Sequence, residues 1–341
     1  MSNFSFQELK EGEDFNPLAL CSDTPFTQAT FYGQWQKALG REVRRFVVSK
    51  SGKPVVFFQL IKYPLIAGKN YAYCPFGPVV KEYSPELLVT LKTELSKLAK
   101  SLNAVFIRLD FIPVPQKNLN LQKYFTKSLA ATYHSAYFQP RVEWFLSLEP
   151  GKEELYQRMN NKHRYSIRLA ERKGIVPEII TTDFEKHFAR FYELMIETAK
   201  RDGFSLHPRA YYENVFKNLQ NIPGSFLALA KYQNKILVAD VIVVYGSTAN
   251  YVYGSSSDEL RTFGTSFTAQ WAALQQAKKI SCARYNFGGI AVPGVYSDWE
   301  GLTRFKKRFG GYEVHHSDFY DLVANPFWYW LYNLRKLLKK I

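Results

Sequence analysis

The sequence predicts an α/β protein in which one structural unit occurs twice in tandem. Two observations support this prediction: the same order of strands and helices recurs in both halves, and the length suits two domains. The chain has 341 residues, and a domain typically contains about 100 to 200 residues. The longest apolar stretch, Ile236 to Tyr245, is interrupted by Asp240 and is half as long as a membrane-spanning helix, so we expect no membrane span.

The first copy begins with a predicted helix from Pro25 to Leu39. A three-stranded meander follows, with Ser-Gly-Lys and Ala-Gly-Lys turns between its strands. Leucines at helical spacing then predict a helix from Pro85 to Leu102, and the run from Ala104 to Phe111 predicts a buried strand. The predicted meander strands are Val43 to Ser49, Pro54 to Tyr63 and Lys69 to Cys74.

The second copy repeats this order after two predicted helices, Lys152 to Lys173 and Phe184 to Lys200. Its elements are strands Phe226 to Tyr232, Ile236 to Tyr245 and Asn250 to Ser255, a helix from Thr265 to Ile280, and a strand from Ala283 to Phe287. A meander, a loop that opens a helix, and a further strand form the order of the N-acetyltransferase fold. The predicted fold is therefore α/β (α+β), with two tandem acetyltransferase-like domains built on mixed sheets.

The charge and the cysteines restrict the class of protein further. The chain has 45 basic and 30 acidic residues, and its net charge of +15 favours a polyanionic partner such as nucleic acid, anionic lipid or a phosphorylated substrate. The three cysteines are widely spaced without a C-x-x-C pair, and the six histidines lack metal-ligand spacing. We therefore expect a cytoplasmic protein without a metal site.

The loop before the second-copy helix contains Arg261, Gly264 and Ser266. It resembles the R-x-x-G-x-G/A loop in which acetyltransferases bind the pyrophosphate of coenzyme A, except for the serine in the last position. An ordinary N-terminal helix turn explains the same residues. A coenzyme A-dependent N-acyltransferase therefore stays open as an alternative function.

Eight stretches of the sequence, in the same order, resemble the Fem family of aminoacyl-tRNA-dependent peptidyl transferases, which build the interpeptide bridge of bacterial peptidoglycan. The stretches are TQATFYGQWQKALG, YAYCPFGPVV, AVFIRLDF, NNKHRYSIRLAERKGI, HPRAYYENVF, ANYVYGSSS, ARYNFGGI and GLTRFKKRFGGYEV. The resemblance covers nearly the whole chain. Because the sequence has no long heptad run, it is similar to the compact subtype that lacks a coiled-coil arm.

The resemblance implies a function and a domain organisation. Family members transfer an amino acid from aminoacyl-tRNA to an amine on the stem peptide of a peptidoglycan precursor, lipid-linked or nucleotide-linked, without a cofactor. They have two acetyltransferase-like domains, and the C-terminal segment completes the first. We therefore expect domain 1 at residues 1–147, completed by residues 316–341, and domain 2 at residues 148–315.

Removal of a proton from the acceptor amine is the first chemical requirement, because an amine of pKa about 10.4 is almost fully protonated at pH 7. Asp110, at the C-terminal end of the strand VFIRLD, matches the family's candidate base. A structural pairing with Arg108 is the alternative. The matching strand end of the second copy carries Asn286, where the family often has aspartate. Because a carboxamide cannot accept a proton, we favour proton removal assisted by the substrate itself.

The resemblance also implies residues that bind the precursor. Lys37 follows the spacing Q-x6-W-x-K from Gln28 and matches a family lysine that contacts the diphosphate or muramyl portion; a solvated helix lysine is the alternative. Tyr73 in YAYCPFG is expected to bind substrate. Tyr253 in YVYGSSS matches a family tyrosine at the substrate cleft, although a tyrosine at the end of such a strand is more often half-buried in the core.

A further precursor contact is expected in LHPRAYYENVF. There the family often has an arginine four residues before a tyrosine, and this spacing gives His207 and Tyr211. Arg209 is the candidate that supplies the charge instead.

Two basic segments are expected to bind tRNA. Phe305 and Lys306 match a family pair that contacts the aminoacylated end: the aromatic ring stacks on a base, and the ammonium meets a phosphate or the developing oxyanion. Lys306 is therefore also a catalytic candidate. Arginines at i, i+4 and i+8 of one helix face are expected to contact the RNA backbone, with a solvated face as the alternative; they are Arg164, Arg168 and Arg172.

The C-terminal segment NPFWYWLYNLRKLLKKI combines aromatic residues and leucines with basic residues. This composition is typical of a helix that lies on an anionic membrane, and packing against the first domain is a compatible alternative. The expected location is cytoplasmic, at the inner face of the plasma membrane. A non-catalytic RNA- or membrane-binding module is the second alternative function.

Overall fold

The computed structural model describes residues 3–116, 119–128, 139–292 and 299–338. Within these residues the strands are β1 (Phe4–Glu8), β2 (Val43–Lys50), β3 (Lys53–Pro64), β4 (Asn70–Cys74), β5 (Val79–Val80), β6 (Ala104–Leu109), β7 (Thr126–Lys127), β8 (Val142–Ser147), β9 (Ile175–Ile180), β10 (Phe226–Tyr232), β11 (Lys235–Tyr245), β12 (Thr248–Ser256), β13 (Arg284–Gly289), β14 (Tyr312–His315) and β15 (Tyr320–Val323). The helices are α1 (Thr30–Lys37), α2 (Pro85–Ser101), α3 (Lys152–Arg158), α4 (Asn161–Arg172), α5 (Phe188–Asp202), α6 (Arg209–Leu219), α7 (Thr265–Lys279), α8 (Glu300–Lys307) and α9 (Pro326–Leu338).

The chain forms two compact units. Unit 1 comprises Met1–Arg141 and His315–Ile341, and unit 2 comprises Val142–Val314. The sequence interpretation ended the first domain at residue 147, but β8 pairs antiparallel with β13 in the sheet of unit 2. The boundary therefore lies before β8. The sequence did not indicate this position, because the strand that pairs with β8 comes from a distant part of the chain.

The sheet of unit 1 has the strand order β1-β2-β3-β4-β6-β15-β7, and β5 pairs with β3. The meander β2-β3-β4 is antiparallel, whereas β4 and β6 are parallel, since α2 forms the crossover between them. The leucines that predicted α2 pack in or against the hydrophobic core of this unit. The C-terminal strand β15 pairs with β6, which brings the end of the chain back into unit 1.

The sheet of unit 2 has the order β14-β8-β13-β12-β11-β10-β9. Its meander is again antiparallel, and the parallel pair β12 and β13 is connected through α7. The register of this parallel pair stops at Asn250 and Asn286, although both strands continue further. The opening that results at the carboxyl ends of β12 and β13 is the type of position where α/β sheets bind ligands.

The predicted helix from Lys152 to Lys173 is wrong in one respect, because the structure has two helices there. Met159 has extended backbone angles, and the Asn160 side chain accepts a hydrogen bond from the Lys162 N–H at 2.9 Å. Asparagine is a favoured N-cap residue. It ends the first helix and starts the second, which a periodicity argument based on apolar spacing does not detect.

None of the helices in the described part of the chain is both long enough and apolar enough to cross a membrane.

Candidate functional site

Asp110 follows β6 directly and is almost completely buried in unit 1. Its carboxylate accepts hydrogen bonds from the Tyr73 hydroxyl and, at 3.2 Å, from the Phe76 N–H. Burial raises the pKa of Asp110 to about 8, although both hydrogen bonds act in the opposite direction. The group is therefore mostly a neutral carboxylic acid at pH 7. The structure thus brings together two of the predicted site residues, Tyr73 and Asp110.

The side chain of Gln28 fixes the loop beside Asp110 through hydrogen bonds. The Gln28 amide donates to the Pro75 carbonyl at 2.6 Å, and its oxygen accepts from the Gln59 N–H at 3.0 Å. A Cβ on Gly77 would lie 2.8 Å from the Gln28 side chain, so only glycine permits this approach. Lys37, in contrast, lies exposed at the end of α1. The glutamine of the predicted Q-x6-W-x-K motif is therefore structural, and its lysine faces solvent.

Three predicted precursor-binding residues lie together in unit 2. The hydroxyl groups of Tyr211 and Tyr253 share a hydrogen bond, and the His207 ring packs on Tyr211 with 4.5 Å between ring centroids. Arg209, proposed as the replacement charge, instead forms an exposed ion pair with Glu213 at 2.7 Å. His207 is therefore the candidate that contacts this tyrosine pair.

Lys306 lies on α8, and only 4% of it is exposed. Its ammonium donates to the Gly289 carbonyl at 2.6 Å, and a Cβ on Gly288 would stand 3.7 Å from its nitrogen. Lys306 therefore lies at the end of β13, where β12 and β13 are no longer paired. Burial lowers the pKa of Lys306 to about 7, and the Glu143 carboxylate acts in the opposite direction. Both the charged and the neutral amine are accessible at neutral pH.

Polar side chains from three strands surround this opening. The Asn286 amide donates to the Glu143 carboxylate at 3.1 Å and to the Asn250 carbonyl oxygen at 3.3 Å. The Asn286 oxygen accepts from the Gly288 N–H at 2.7 Å. All three side chains are buried. We refer to Glu143, Asn250, Asn286 and Lys306 as the unit 2 polar cluster.

Phe305, predicted to stack on a base of tRNA, packs inward. Its ring is stacked on Phe267 at 5.4 Å, so one face is covered. Its carbonyl lies 3.2 Å from the imidazole of His163, whose pKa is lowered to about 4 by burial. His163 is therefore neutral, and the Phe305 segment belongs to the core on this side.

The three arginines predicted to bind RNA differ in their contacts. The Arg164 guanidinium donates to the carbonyls of Gln157 and, at 3.0 Å, Met159, so it caps the end of α3. Arg168 and Arg172 are exposed. At the break between α3 and α4, backbone carbonyls at the end of α3 accept hydrogen bonds from Arg164. Of the three arginines, only Arg168 and Arg172 present their charge to solvent.

The start of α7 is the position of the predicted pyrophosphate loop. Gly264 has a positive φ of 88°, and a Cβ there would lie 2.6 Å from the Ser166 carbonyl oxygen. The backbone of α4 therefore covers the beginning of α7. This arrangement disfavours the binding of a coenzyme A pyrophosphate at Arg261, Gly264 and Ser266.

Sequence reasoning missed two buried carboxylates of unit 2, Glu143 and Asp240. The Asp240 carboxylate accepts from the Gln270 amide at 2.7 Å, and burial raises its pKa to about 8. A single acidic residue inside an apolar strand run was the available signal, since such a group is buried only with partners. Glu143 gave a weaker signal, because its partner Asn286 is 143 residues away.

Among the described residues, no group of three or more His, Cys, Asp or Glu side chains is arranged to hold a metal ion. His134, Lys339 and Lys340 lie outside the described residues.

The two sheets define this chain as a tandem protein of the acetyltransferase fold. A tandem protein of that fold from the clavulanic acid biosynthesis pathway is similar to it over 95% of this chain and 99% of the other, with a TM-score of 0.55 and 14% identity. The crystal structure of FemX covers 95% of this chain and 99% of its own, with a TM-score of 0.77 and 22% identity.

The sequence model of the FemAB family matches residues 120–236 and 227–337. The chain belongs to the FemAB family. It is 24% identical to the lipid II:glycine glycyltransferase of Staphylococcus aureus (strain USA300), over 87% of this chain and 88% of the relative. The enzyme of the same name from Staphylococcus haemolyticus is 23% identical over the same shares. The predicted family, fold class and transferase class are therefore confirmed.

Proposed function

We propose that this protein transfers an amino acid from aminoacyl-tRNA to an amine of the stem peptide of a lipid-linked peptidoglycan precursor. The family and the names of the staphylococcal relatives support the reaction class and the precursor. The observation that carries the proposal is the buried amine of Lys306 at the opening between β12 and β13. A buried cation there suits an acyl carbonyl that develops negative charge.

The reaction needs no co-reactant. The acceptor ammonium first releases one proton to solvent. The neutral nitrogen then bonds to the carbonyl carbon of the aminoacyl ester, and the carbonyl oxygen becomes an oxyanion. The carbon–oxygen bond to the tRNA ribose then breaks, and the proton lost by the nitrogen ends on the leaving ribose oxygen. In this scheme the Lys306 ammonium stabilises the oxyanion in a site of low dielectric constant, and the chain's main contribution is alignment.

The direct test combines the purified protein with mixed charged tRNAs and with either lipid-linked or nucleotide-linked precursor. The expected result is a mass increase of one aminoacyl residue on the lipid-linked precursor. Transfer that requires an acyl coenzyme A, or tRNA binding that ignores aminoacylation and gives no product, would overturn the proposal in favour of the two alternatives.

Asp110 is proposed to position the loop of residues 75–77, because its carboxylate accepts the Phe76 N–H and its own N–H donates to the Gly77 carbonyl at 2.7 Å. Asp110→Asn is expected to lower turnover by less than about 10²-fold, which is the lower bound for loss of a general base. Turnover and melting temperature should be measured for this variant and for Tyr73→Phe. A larger loss of turnover in a folded Asp110→Asn protein would make Asp110 the base.

Arg168 and Arg172 are proposed to contact the tRNA backbone. Exchange of both for glutamine is expected to reduce the salt dependence of tRNA binding, lowering the slope of log affinity against log salt by about 1.5 to 2. Filter binding across a salt series measures this slope. Lys186→Gln with Lys217→Gln, both exposed lysines of unit 2, is the matched control, and an equal change in that control would contradict the assignment.

The helix α9 is proposed to hold the protein at the membrane. Its Tyr329 and Tyr332 rings pack on Phe106 of unit 1, whereas Phe327 and Trp330 are 65% and 59% exposed. Basic residues Arg335 and Lys336 lie on the same helix. An exposed aromatic face beside positive charge suits an anionic bilayer, which is where a lipid-linked precursor resides.

Phe327→Ser with Trp330→Ser is expected to weaken co-sedimentation with vesicles of phosphatidylglycerol and phosphatidylcholine by more than tenfold, since burial of one such side chain contributes about 1.5 to 3 kcal/mol. Phe204→Ser, which changes an exposed aromatic residue of unit 2, is the control. Undiminished vesicle binding by the double variant would sink the membrane role of α9.

A further inference from the structure

The second unit contains a carboxylate at the strand opening, although the sequence interpretation found only an amide there. Asn286 occupies the strand position where an aspartate was expected. Glu143, on the neighbouring antiparallel strand β8, lies 3.1 Å from the Asn286 amide nitrogen and is only 7% exposed. The register pairs Glu143 with Gly289, the residue whose carbonyl accepts the hydrogen bond from Lys306. The carboxylate from β8 and the ammonium from α8 therefore both lie beside the same end of β13.

The orientation of Asn286 is fixed by its partners. Its oxygen accepts from the Gly288 N–H at 2.7 Å, so its nitrogen points to Glu143 and Asn250. This orientation makes Asn286 a donor to the Glu143 carboxylate. An aspartate at position 286 would instead put two carboxylates within about 3 Å, and two such groups do not ionise together. The amide at 286 and the carboxylate at 143 are therefore complementary.

Among the charged groups near α8, Glu143 is the carboxylate whose charge acts on Lys306. Glu313 on β14 is bound to Lys307 at 2.9 Å. His163 on α4 contacts the Phe305 carbonyl and is neutral. Arg284, at the start of β13, stacks on Phe145 at 5.6 Å. The electrostatic effect of Glu143 favours the charged form of Lys306, and burial opposes it.

We propose that Glu143 is a positioning residue that keeps the Lys306 ammonium charged and directed at the acyl carbonyl, with Asn286 holding its carboxylate. This inference rests on the proposed function for the identity of the acyl group. In unit 2 the carboxylate comes from the adjacent strand β8 and not from the end of β13. The site therefore keeps a carboxylate although position 286 is an asparagine.

A charge relocation tests this assignment. Glu143→Gln is expected to lower kcat about tenfold or more and to leave KM for aminoacyl-tRNA nearly unchanged, because the lost interaction acts in the transition state. Adding Asn286→Asp to the Glu143→Gln protein returns a carboxylate to the cluster and is expected to restore most of kcat. Glu313→Gln, which removes an acid next to the exposed Lys307, is the matched control.

The titration of Lys306 gives a second readout that does not need activity. With ¹³C-labelled lysine, the Lys306 resonance is assigned by its loss in Lys306→Met. Its apparent pKa is expected to fall in Glu143→Gln, to rise again when Asn286→Asp is added, and to stay unchanged in Glu313→Gln. If Glu143→Gln does not fold, Glu143→Asp serves instead, because it withdraws the carboxylate by one methylene group, and it should lower the apparent pKa of Lys306.

An unchanged Lys306 titration in every foldable variant would overturn the inference, as would a loss of kcat that Asn286→Asp does not restore. If the wild-type protein transfers no amino acid from tRNA, the proposed function fails, and the titration still decides whether Glu143 is the counter-ion of Lys306.

Discussion

Replacement of Lys306 by methionine is expected to lower the rate of transfer about 10²- to 10³-fold, the usual cost of removing one group that stabilises an oxyanion. Methionine keeps the apolar stem of the side chain, so the packing of α8 is preserved. The amine is buried at the opening between two strands and bound to the Gly289 carbonyl. A charge so placed is worth more than the same charge in water.

The melting temperature separates a chemical role from a structural one. Because the pKa of Lys306 is lowered in the folded protein, the folded state binds fewer protons than the unfolded state between pH 7 and about pH 10. The wild type therefore loses stability as the pH falls through this window, and the methionine variant does not. At pH 7 the variant should melt at the same temperature as the wild type or higher.

Lys307→Met is the matched control for this experiment. Lys307 is the next residue of α8, but it is exposed and bound to Glu313. Transfer rate, precursor affinity and melting temperature should be measured on all three proteins. If Lys306→Met and Lys307→Met both transfer at the wild-type rate, Lys306 is only a packing residue. If the melting temperature falls steeply in Lys306→Met alone, its role is structural.

The elements of the fold are predictable because their signals are local. The leucine spacing of α2 and the Gly-containing turns of the first meander lie within short segments of sequence, and the structure has these elements within a few residues of the predicted bounds. Strand Phe4–Glu8 has no such signal beyond alternation, and it is held by its pairing with β2. The strand forms because it pairs with β2, and the periodicity of the sequence does not indicate this pairing.

The candidate site is predictable only where its residues share one strand or one turn. Asp110 lies at a strand end, and its partner Tyr73 is on the adjacent parallel strand. Each lies in a short stretch that resembles the Fem family, so the sequence already indicated both. Glu143 reaches Asn286 only through the pairing of β8 with β13. The three arginines of α4 have the predicted spacing. Arg164 nevertheless binds the end of α3, because the helix is broken before Asn160.

Replacement of Asp321 by alanine is expected to lower the free energy of unfolding of unit 1 by about 3 to 5 kcal/mol, the cost of leaving a buried charge without its partner. Asp321 and Arg108 are both fully buried. The guanidinium donates to both carboxylate oxygens at 2.8 Å, and the Tyr329 hydroxyl donates to the same carboxylate at 2.7 Å. The pair therefore attaches β15 and α9 to β6.

Denaturant unfolding combined with hydrogen exchange of β6 and β15 peptides measures this loss and locates it. Glu42→Ala, which removes a half-exposed ion pair with Lys62 in the same unit, should cost only about 0 to 1 kcal/mol. Arg108→Met with Asp321→Leu should recover much of the stability, because an apolar pair needs no charge compensation. Similar losses for Asp321→Ala and Glu42→Ala would contradict this account. They would mean that the return of the C-terminal segment depends on the aromatic packing of α9 alone.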